Sequence, residues 1–143
     1  MSKAGLDVCM EPGHRLASFD NDKAGIAELA KFCREHKVDL VAMEASGGYE
    51  RRVFIELWEQ DISCALTNPR SVRRYAEAMG ILEKTDRIDA SVIARFADAK
   101  GLAATPLPSQ AQQRLKALVV RLRQVTDDLT VQKQRRSSMF DNM

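Results

Sequence analysis

The sequence predicts an α/β domain over residues 1–104, followed by a linker and a long helix over residues 105–143. Three features support this prediction. Short apolar segments alternate with longer amphipathic ones, which is the pattern of strands separated by helices. The 143 residues are 45% hydrophobic, which is enough for one domain with a buried core. After a proline-rich stretch, leucine and valine recur at intervals of three and four residues, which indicates a helix with one apolar stripe.

Four segments are predicted to be strands. Residues 4–10 and 15–19 flank a turn that contains proline and glycine, which is typical of a hairpin. The nearly continuous apolar run at residues 38–43 is typical of a buried parallel strand, and residues 63–66 form a second, shorter one.

Five segments are predicted to be helices, and polar residues mark their ends. Asn68 and Pro69 give one helix an N-cap and a first-turn proline. Thr85 is the predicted cap and Gly101 the predicted stop of the next helix, and Ser109 caps the last one. The predicted helices cover residues 23–36, 50–60, 69–79, 86–100 and 110 onward.

Two acids head the apolar stripe of the helix at residues 86–100. Asp86 and Asp89 are spaced to share the face that Ile93 and Phe96 use for burial. Like charges about 4 Å apart repel by roughly 4 kcal/mol near a protein surface, and a divalent cation would remove that conflict. For Asp86 alone, an aspartate that complements the helix dipole is an equally good interpretation. Asp89 lies beyond the best dipole position.

Two further acids occupy strands. Asp7 lies between Leu6 and Val8, so it faces away from them and is also compatible with a solvent-exposed role. Glu44 ends the predicted parallel strand before a glycine turn, where open α/β sheets place ligands, although an ordinary charged strand end fits equally. If the first strand lies beside the strand at residues 38–43, all four carboxylates converge. Four carboxylates suit a two-metal site.

Basic residues are unevenly distributed. The net charge is +2, but residues 110–143 carry seven basic and three acidic side chains, which leaves a net negative charge on the first 109 residues. This asymmetry favours an acidic partner such as nucleic acid for the last helix, although a solvated helix face is an equal alternative. The residues that we expect to contact phosphates are Arg70, Arg73, Arg74, Lys84, Arg121 and Arg123.

The cysteines and histidines receive no role from the sequence. Cys9, Cys33 and Cys64 are odd in number and lack paired spacing, which argues against a disulfide framework and against a zinc site. His14 and His36 lie far apart, so a histidine-based metal site has little support. The sequence shows no signal peptide and no apolar run of membrane-spanning length. We therefore expect a cytosolic protein without a membrane partner.

Four segments occur in a fixed order along the chain. They are Gly5-Leu6-Asp7-Val8, Met43-Glu44-Ala45-Ser46-Gly47-Gly48-Tyr49-Glu50, Asn68-Pro69-Arg70 and Lys84-Thr85-Asp86-Arg87-Ile88-Asp89-Ala90. Together they resemble the motifs of the DEDD transposases of bacterial insertion sequences (the IS one-hundred-and-ten group) and of the related Piv-type pilin-gene invertases. The similarity covers nearly the whole chain.

The resemblance implies a RuvC-like, ribonuclease-H-type mixed sheet flanked by helices. It also implies that Asp7, Glu44, Asp86 and Asp89 form an acidic tetrad that binds two Mg²⁺ or Mn²⁺ ions for DNA cleavage or strand exchange. DNA is then the partner, some members use a guide RNA, and a further C-terminal domain supplies a serine. We therefore expect the chain to be a fragment. The heptad spacing of the last helix predicts a homo-oligomer.

The hairpin departs from the family pattern, in which three strands usually precede the first helix, so the presentation of Asp7 is open. Three other functions compete with the recombinase interpretation. The chain could bind and pair nucleic acid without catalysis, act as a RuvC-like junction nuclease, or be a sugar-kinase or actin-like ATPase domain. The last alternative requires a second glycine-rich phosphate loop, and the sequence has none.

Overall fold

A computed structural model describes residues 5–45, 48–81 and 86–141, without the side chains of residues 86–88 and 137–141. The chain divides into two compact units, Met1–Pro106 and Leu107–Met143. The elements in chain order are β1 (Gly5–Met10), β2 (Arg15–Asp20), α1 (Lys23–Glu35), β3 (Val41–Glu44), α2 (Glu50–Trp58), β4 (Cys64–Thr67), α3 (Pro69–Ala78), α4 (Asp86–Lys100) and α5 (Gln110–Asp141).

The first two strands form the predicted antiparallel hairpin. The start of α1 packs closely against the backbone at the end of β2. The side chain of Asp22 caps α1 by accepting a 2.8 Å hydrogen bond from the amide of Gly25. A Cβ atom at position 25 would lie 2.1 Å from the carbonyl oxygen of Asp20. Only glycine therefore lets α1 begin this close to the end of β2.

The main core lies between the hairpin, α1, α2 and the parallel pair β3 and β4. Ile26 and Leu57 are fully buried at its centre, and Leu6 projects into it from β1. Asp7 and its neighbour Leu6 therefore point to opposite faces of β1, as the period-two pattern predicts.

The helix α4 packs on two partners. On one side it contacts β1 and β3, and on the other it contacts α3 through a second cluster of Val72, Val92 and Phe96. Gly101 ends α4 with a φ of +60°, and the amide of Leu102 donates a hydrogen bond to the carbonyl of Ala97. This αL ending is the predicted glycine stop.

The prediction of an α/β fold with a long C-terminal helix is confirmed, and the mixed strand directions are consistent with a RuvC-like fold. The condition under which we expected the four carboxylates to converge, β1 beside β3 in one sheet, is not met among the described residues, because their strands form two two-stranded sheets. The predicted start of β3 is wrong. Its ladder begins at Val41, opposite Cys64, because residues 37–40 carry the chain out of α1. The predicted cap Thr85 lies outside the described residues.

The second unit contains α5, a single helix of 32 residues. Ser109 and Gln112 form a reciprocal capping pair. The Ser109 hydroxyl accepts a 3.2 Å hydrogen bond from the backbone amide of Gln112, and the Gln112 side chain accepts a 2.8 Å hydrogen bond from the backbone amide of Ser109. The leucine and valine stripe of α5 is exposed to solvent throughout the described part of this unit. None of the described helices combines the length and the apolar character needed to cross a membrane.

Candidate functional site

A cleft of about 830 Å³ separates the two small sheets. One wall is β1, the opposite wall is β3, and α1 and α4 complete it. Three of the four predicted metal ligands line this cleft, namely Asp7 from β1, Glu44 from β3 and Asp89 from α4. Each of the three side chains is half-buried. The fold thus brings together carboxylates that are up to 82 residues apart in the sequence.

The hairpin orients Asp7. Asp7 and Ser18 are directly opposite each other in the antiparallel register of β1 and β2. The Ser18 hydroxyl donates a 2.6 Å hydrogen bond to Oδ1 of Asp7, which leaves the second carboxylate oxygen for another partner. The two-stranded hairpin therefore suffices to place Asp7 at the cleft.

The parallel pair positions Glu44 as the last residue of β3. The amide of Ala45 donates a 3.1 Å hydrogen bond to the carbonyl of Thr67. The buried Thr67 hydroxyl lies 3.4 Å from the carbonyl of Met43. Both contacts connect the end of β3 to β4, so they fix the position of the backbone that carries Glu44. Ser46 and Gly47, which follow it, lie outside the described residues.

The helix α4 supplies the remaining acids. Asp89, Ile93 and Ala97 follow one another along the side of α4 that lines the cleft. Asp86 is the first residue of α4 and precedes Asp89 by about one helical turn. The side chain of Asp86 lies outside the described part of the structure.

The chemistry of the cleft fits a hard divalent cation. Its wall also carries Glu11, Asp39 and Asp98, and Lys37 is the one lysine or arginine among the described residues that line it. Carboxylate oxygens are the ligands that Mg²⁺ and Mn²⁺ prefer. A cleft with this excess of negative charge repels a phosphate unless cations bind first.

The predicted phosphate-contacting arginines of α3 do not line the cleft. Arg70, Arg73 and Arg74 are exposed on α3, and none of them is among the described residues that line the cleft. The Nε atom of Arg73 is 3.4 Å from a carboxylate oxygen of Glu77. Arg121 and Arg123 are exposed on α5, in the second unit, and Lys84 lies outside the described residues.

One group of potential ligands was not predicted from the sequence. Cys9, Glu11 and His14 bring their ligand atoms within 4.8 Å of one another at the tip of the hairpin. The spacing between the cysteines and between the histidines carries no sign of this group, because its members are residues of different types. The informative signal was local, since a hairpin turn folds the short Cys-x-Glu-x-x-His segment onto itself.

Two kinds of comparison place these features in a family. The family model described as "Transposase", that of the DEDD transposases of the IS110 group, matches residues 2–143. The chain is 28% identical over 83 residues to the pilin gene-inverting proteins of Moraxella lacunata and Moraxella bovis. These matches cover 55% of the chain and 26% of each relative, so the chain spans about a quarter of the relatives that it matches. Because the family model covers nearly every residue, the chain belongs to the DEDD transposase family of the IS110 insertion sequences.

Proposed function

We propose that this chain is the metal-dependent DNA-cleaving part of a transposase or site-specific recombinase. In this proposal Asp7, Glu44, Asp86 and Asp89 bind two Mg²⁺ or Mn²⁺ ions. The observation that carries the proposal is that three of these carboxylates, from three separate elements, line one cleft. Membership of the transposase family supports the reaction class.

The residues of the chain have different roles in such a site. Bound ions supply activation of an attacking oxygen and stabilisation of the leaving oxygen in phosphodiester chemistry. The half-buried carboxylates hold the ions, and the Ser18 hydroxyl fixes the orientation of Asp7. The hydrogen bonds between β3 and β4 fix the backbone from which Glu44 projects.

The charges support DNA as the substrate. The acidic cleft admits a phosphodiester only after cations have neutralised it, so metal binding precedes productive DNA binding. The exposed arginines of α3, together with Lys84, Arg121 and Arg123, contact the DNA backbone. The same basic surfaces serve a guide RNA if the complete protein uses one. We place the protein in the bacterial cytoplasm, where such DNA is found.

A second candidate function follows from α5. Its stripe of Leu115, Leu118, Leu122, Val125 and Leu129 is 47–67% exposed to solvent. Apolar residues at heptad spacing stabilise a helix when a second helix covers them. We infer that two copies of the chain pair through α5. A module that binds DNA and pairs without cleaving it is the alternative to the catalytic proposal.

Calorimetric titration of Mn²⁺ into the purified chain tests the catalytic proposal. We expect Asp89→Asn and Asp7→Asn each to weaken Mn²⁺ binding at least about tenfold, because each removes a charged ligand. Asp39→Asn is the matched control, since Asp39 is an exposed acid on the same cleft that lies outside the four motifs. Its affinity should equal that of the parent chain.

The outcomes separate the candidates. Equal Mn²⁺ binding by the parent chain and Asp89→Asn would reject the tetrad as the metal site. An unchanged affinity in Asp7→Asn alone would show that the hairpin does not present the first acid. If the parent chain binds DNA but no Mn²⁺, the non-catalytic pairing module is the better account.

A further inference from the structure

The tip of the β1–β2 hairpin carries three different metal-ligating side chains around one point. The Sγ atom of Cys9 lies 3.6 Å from Nδ1 of His14, and Oε1 of Glu11 lies 3.4 Å from the same nitrogen. All three ligand atoms are within 4.8 Å of one another. Cys9 and Glu11 are half-buried and His14 is exposed, so the group is accessible from solvent.

These separations match the edges of a tetrahedron around zinc. Zinc bonds sulfur at about 2.3 Å and nitrogen or oxygen at about 2.0–2.2 Å, in tetrahedral geometry. Such bonds place a sulfur and a nitrogen about 3.6 Å apart, and a nitrogen and an oxygen about 3.4 Å apart. Both expected separations equal the observed ones. An ordinary hydrogen bond between the nitrogen and the oxygen would be shorter, at about 2.7–3.2 Å.

The backbone at the tip is held in a conformation that favours this arrangement. Gly13 has a φ of +111°, and His14 has a φ of +50°. A non-glycine residue in the left-handed region is uncommon, and such residues cluster where a structure needs a particular side-chain placement. Here the conformation turns the imidazole back over Cys9 and Glu11.

We propose that Cys9, Glu11 and His14 bind one Zn²⁺ ion at the tip of the hairpin. A thiolate, an imidazole and a carboxylate form a donor set of the kind that zinc uses, whereas Mg²⁺ and Mn²⁺ favour sites made only of oxygen ligands. The site therefore differs in chemistry from the four-carboxylate site, and it does not depend on the proposed function of that site.

Two residues of α4 surround the proposed zinc ligands. The Ser91 hydroxyl, which is buried, lies 3.3 Å from Nδ1 of His14. The Nε atom of Arg95 lies 3.5 Å from Oε1 of Glu11 and would orient this carboxylate from outside the metal shell. Arg95 also carries a positive charge that opposes a cation, but the thiolate and the carboxylate together offset it.

Three protein ligands leave a fourth position for water. Glu11 and His14 also line a neighbouring cavity of about 370 Å³, together with Tyr75, Arg95 and Asp98. That cavity gives water access to the open position. The ion pair between Arg95 and Glu11 joins α4 to the hairpin, and these are the elements that carry Asp89 and Asp7.

Cobalt is the spectroscopic probe for this site. The full 143-residue chain is titrated with Co²⁺ in excess Mg²⁺, which occupies the oxygen ligands of the acidic cleft. We expect one Co²⁺ per chain, with the near-ultraviolet absorption of a cobalt–thiolate bond and the intense visible bands of tetrahedral cobalt. Addition of Zn²⁺ should remove both. Weak octahedral bands without thiolate absorption would overturn the proposal.

Substitutions assign the ligands. Cys9→Ser should abolish the thiolate absorption, and His14→Gln and Glu11→Gln should each weaken Co²⁺ binding at least about tenfold. His36→Gln is the matched histidine control and should leave the spectrum unchanged. Asp89→Asn should also leave it unchanged while it weakens Mn²⁺ binding, so a failure of the zinc proposal and a failure of the catalytic proposal give different results. A thiolate band that survives Cys9→Ser would refute the assignment.

A second measurement needs no variant, so it stands even if a substitution prevents folding. Alkylation of each cysteine by iodoacetamide is followed by peptide mass spectrometry. Zn²⁺ should slow the alkylation of Cys9, and a chelator should restore it. Cys33 and Cys64 are buried and should stay unmodified in both conditions. An equal rate at Cys9 with and without Zn²⁺ would contradict zinc binding there.

Discussion

Across the β1–β2 pair, the Ser18 hydroxyl donates a 2.6 Å hydrogen bond to the carboxylate of Asp7. A hydrogen bond from outside the metal shell fixes which carboxylate oxygen faces the ion. We expect Ser18→Ala to weaken Mn²⁺ binding about tenfold while the chain stays folded. Calorimetric titration measures the affinity. Ser71→Ala on α3 is the control, and an effect of Ser18→Ala no larger than that of the control would argue against this role.

The arginines of α3 should contribute to DNA affinity through charge. Arg70→Gln and Arg74→Gln should each weaken binding to every DNA sequence alike and reduce the slope of log affinity against log salt by about 1. Fluorescence anisotropy at several salt concentrations gives the slope. Lys31→Gln removes an exposed charge from α1 and should change neither quantity. If the salt slope is unchanged in both arginine variants, these residues do not contact phosphates.

The stability of the fold should be sensitive to the addition of a single methyl group at Gly25. Gly25→Ala would place a Cβ atom 2.1 Å from the backbone oxygen of Asp20, so α1 must move away from the hairpin. We expect the free energy of unfolding to fall by about 2–3 kcal/mol. Urea denaturation measures this change. Ala27→Gly, at an exposed position of the same helix, should cost only about 0.5–1 kcal/mol. Equal costs would show that the contact with Asp20 is unimportant.

The buried thiols should make stability depend on alkaline pH. Burial raises the pKa of Cys33 to about 11 and that of Cys64 to about 12, from 9.0 in the unfolded chain. Above pH 9 the unfolded chain therefore loses these protons first, so ionisation favours unfolding and stability falls as the pH rises. Between pH 8 and pH 10 each thiol should lower the free energy of unfolding by about 1 kcal/mol.

Urea denaturation of the parent chain and of Cys33→Ala at both pH values isolates this effect. The variant is expected to be less stable at pH 8, because the substitution leaves a cavity in the core. Its stability should nevertheless decrease less between the two pH values. The same decrease in both proteins would mean that the Cys33 thiol does not contribute to the pH dependence.

The exposed stripe of α5 should determine the oligomeric state. Leu118→Asp and Leu122→Asp place charge in the proposed helix pair and should shift the protein from dimer to monomer. Size-exclusion chromatography with light scattering gives the mass. Gln124→Glu, on the opposite side of α5, should leave the dimer intact. A parent chain that remains monomeric at high concentration would exclude pairing through α5.

Local sequence determined most element boundaries. The Asn68–Pro69 start and the glycine stop at Gly101 depend on neighbouring residues, and the structure confirms both. The predicted start of β3 at residue 38 differs from the observed start at Val41, because an apolar run does not reveal which of its residues will pair with another strand. That depends on β4, whose first paired residue lies opposite Val41.

The sequence by itself determined the order of the elements, the family motifs and the four candidate acids, because these depend on residue type and short spacing. Only the tertiary structure decided how they meet. The placement of Asp7, Glu44 and Asp89 on one cleft between two sheets depends on the packing of α4 against both β1 and β3. The grouping of Cys9, Glu11 and His14 depends on the hairpin turn and on α4 behind it. Contacts between distant segments form only when the core has packed, so their geometry is not encoded in any one stretch.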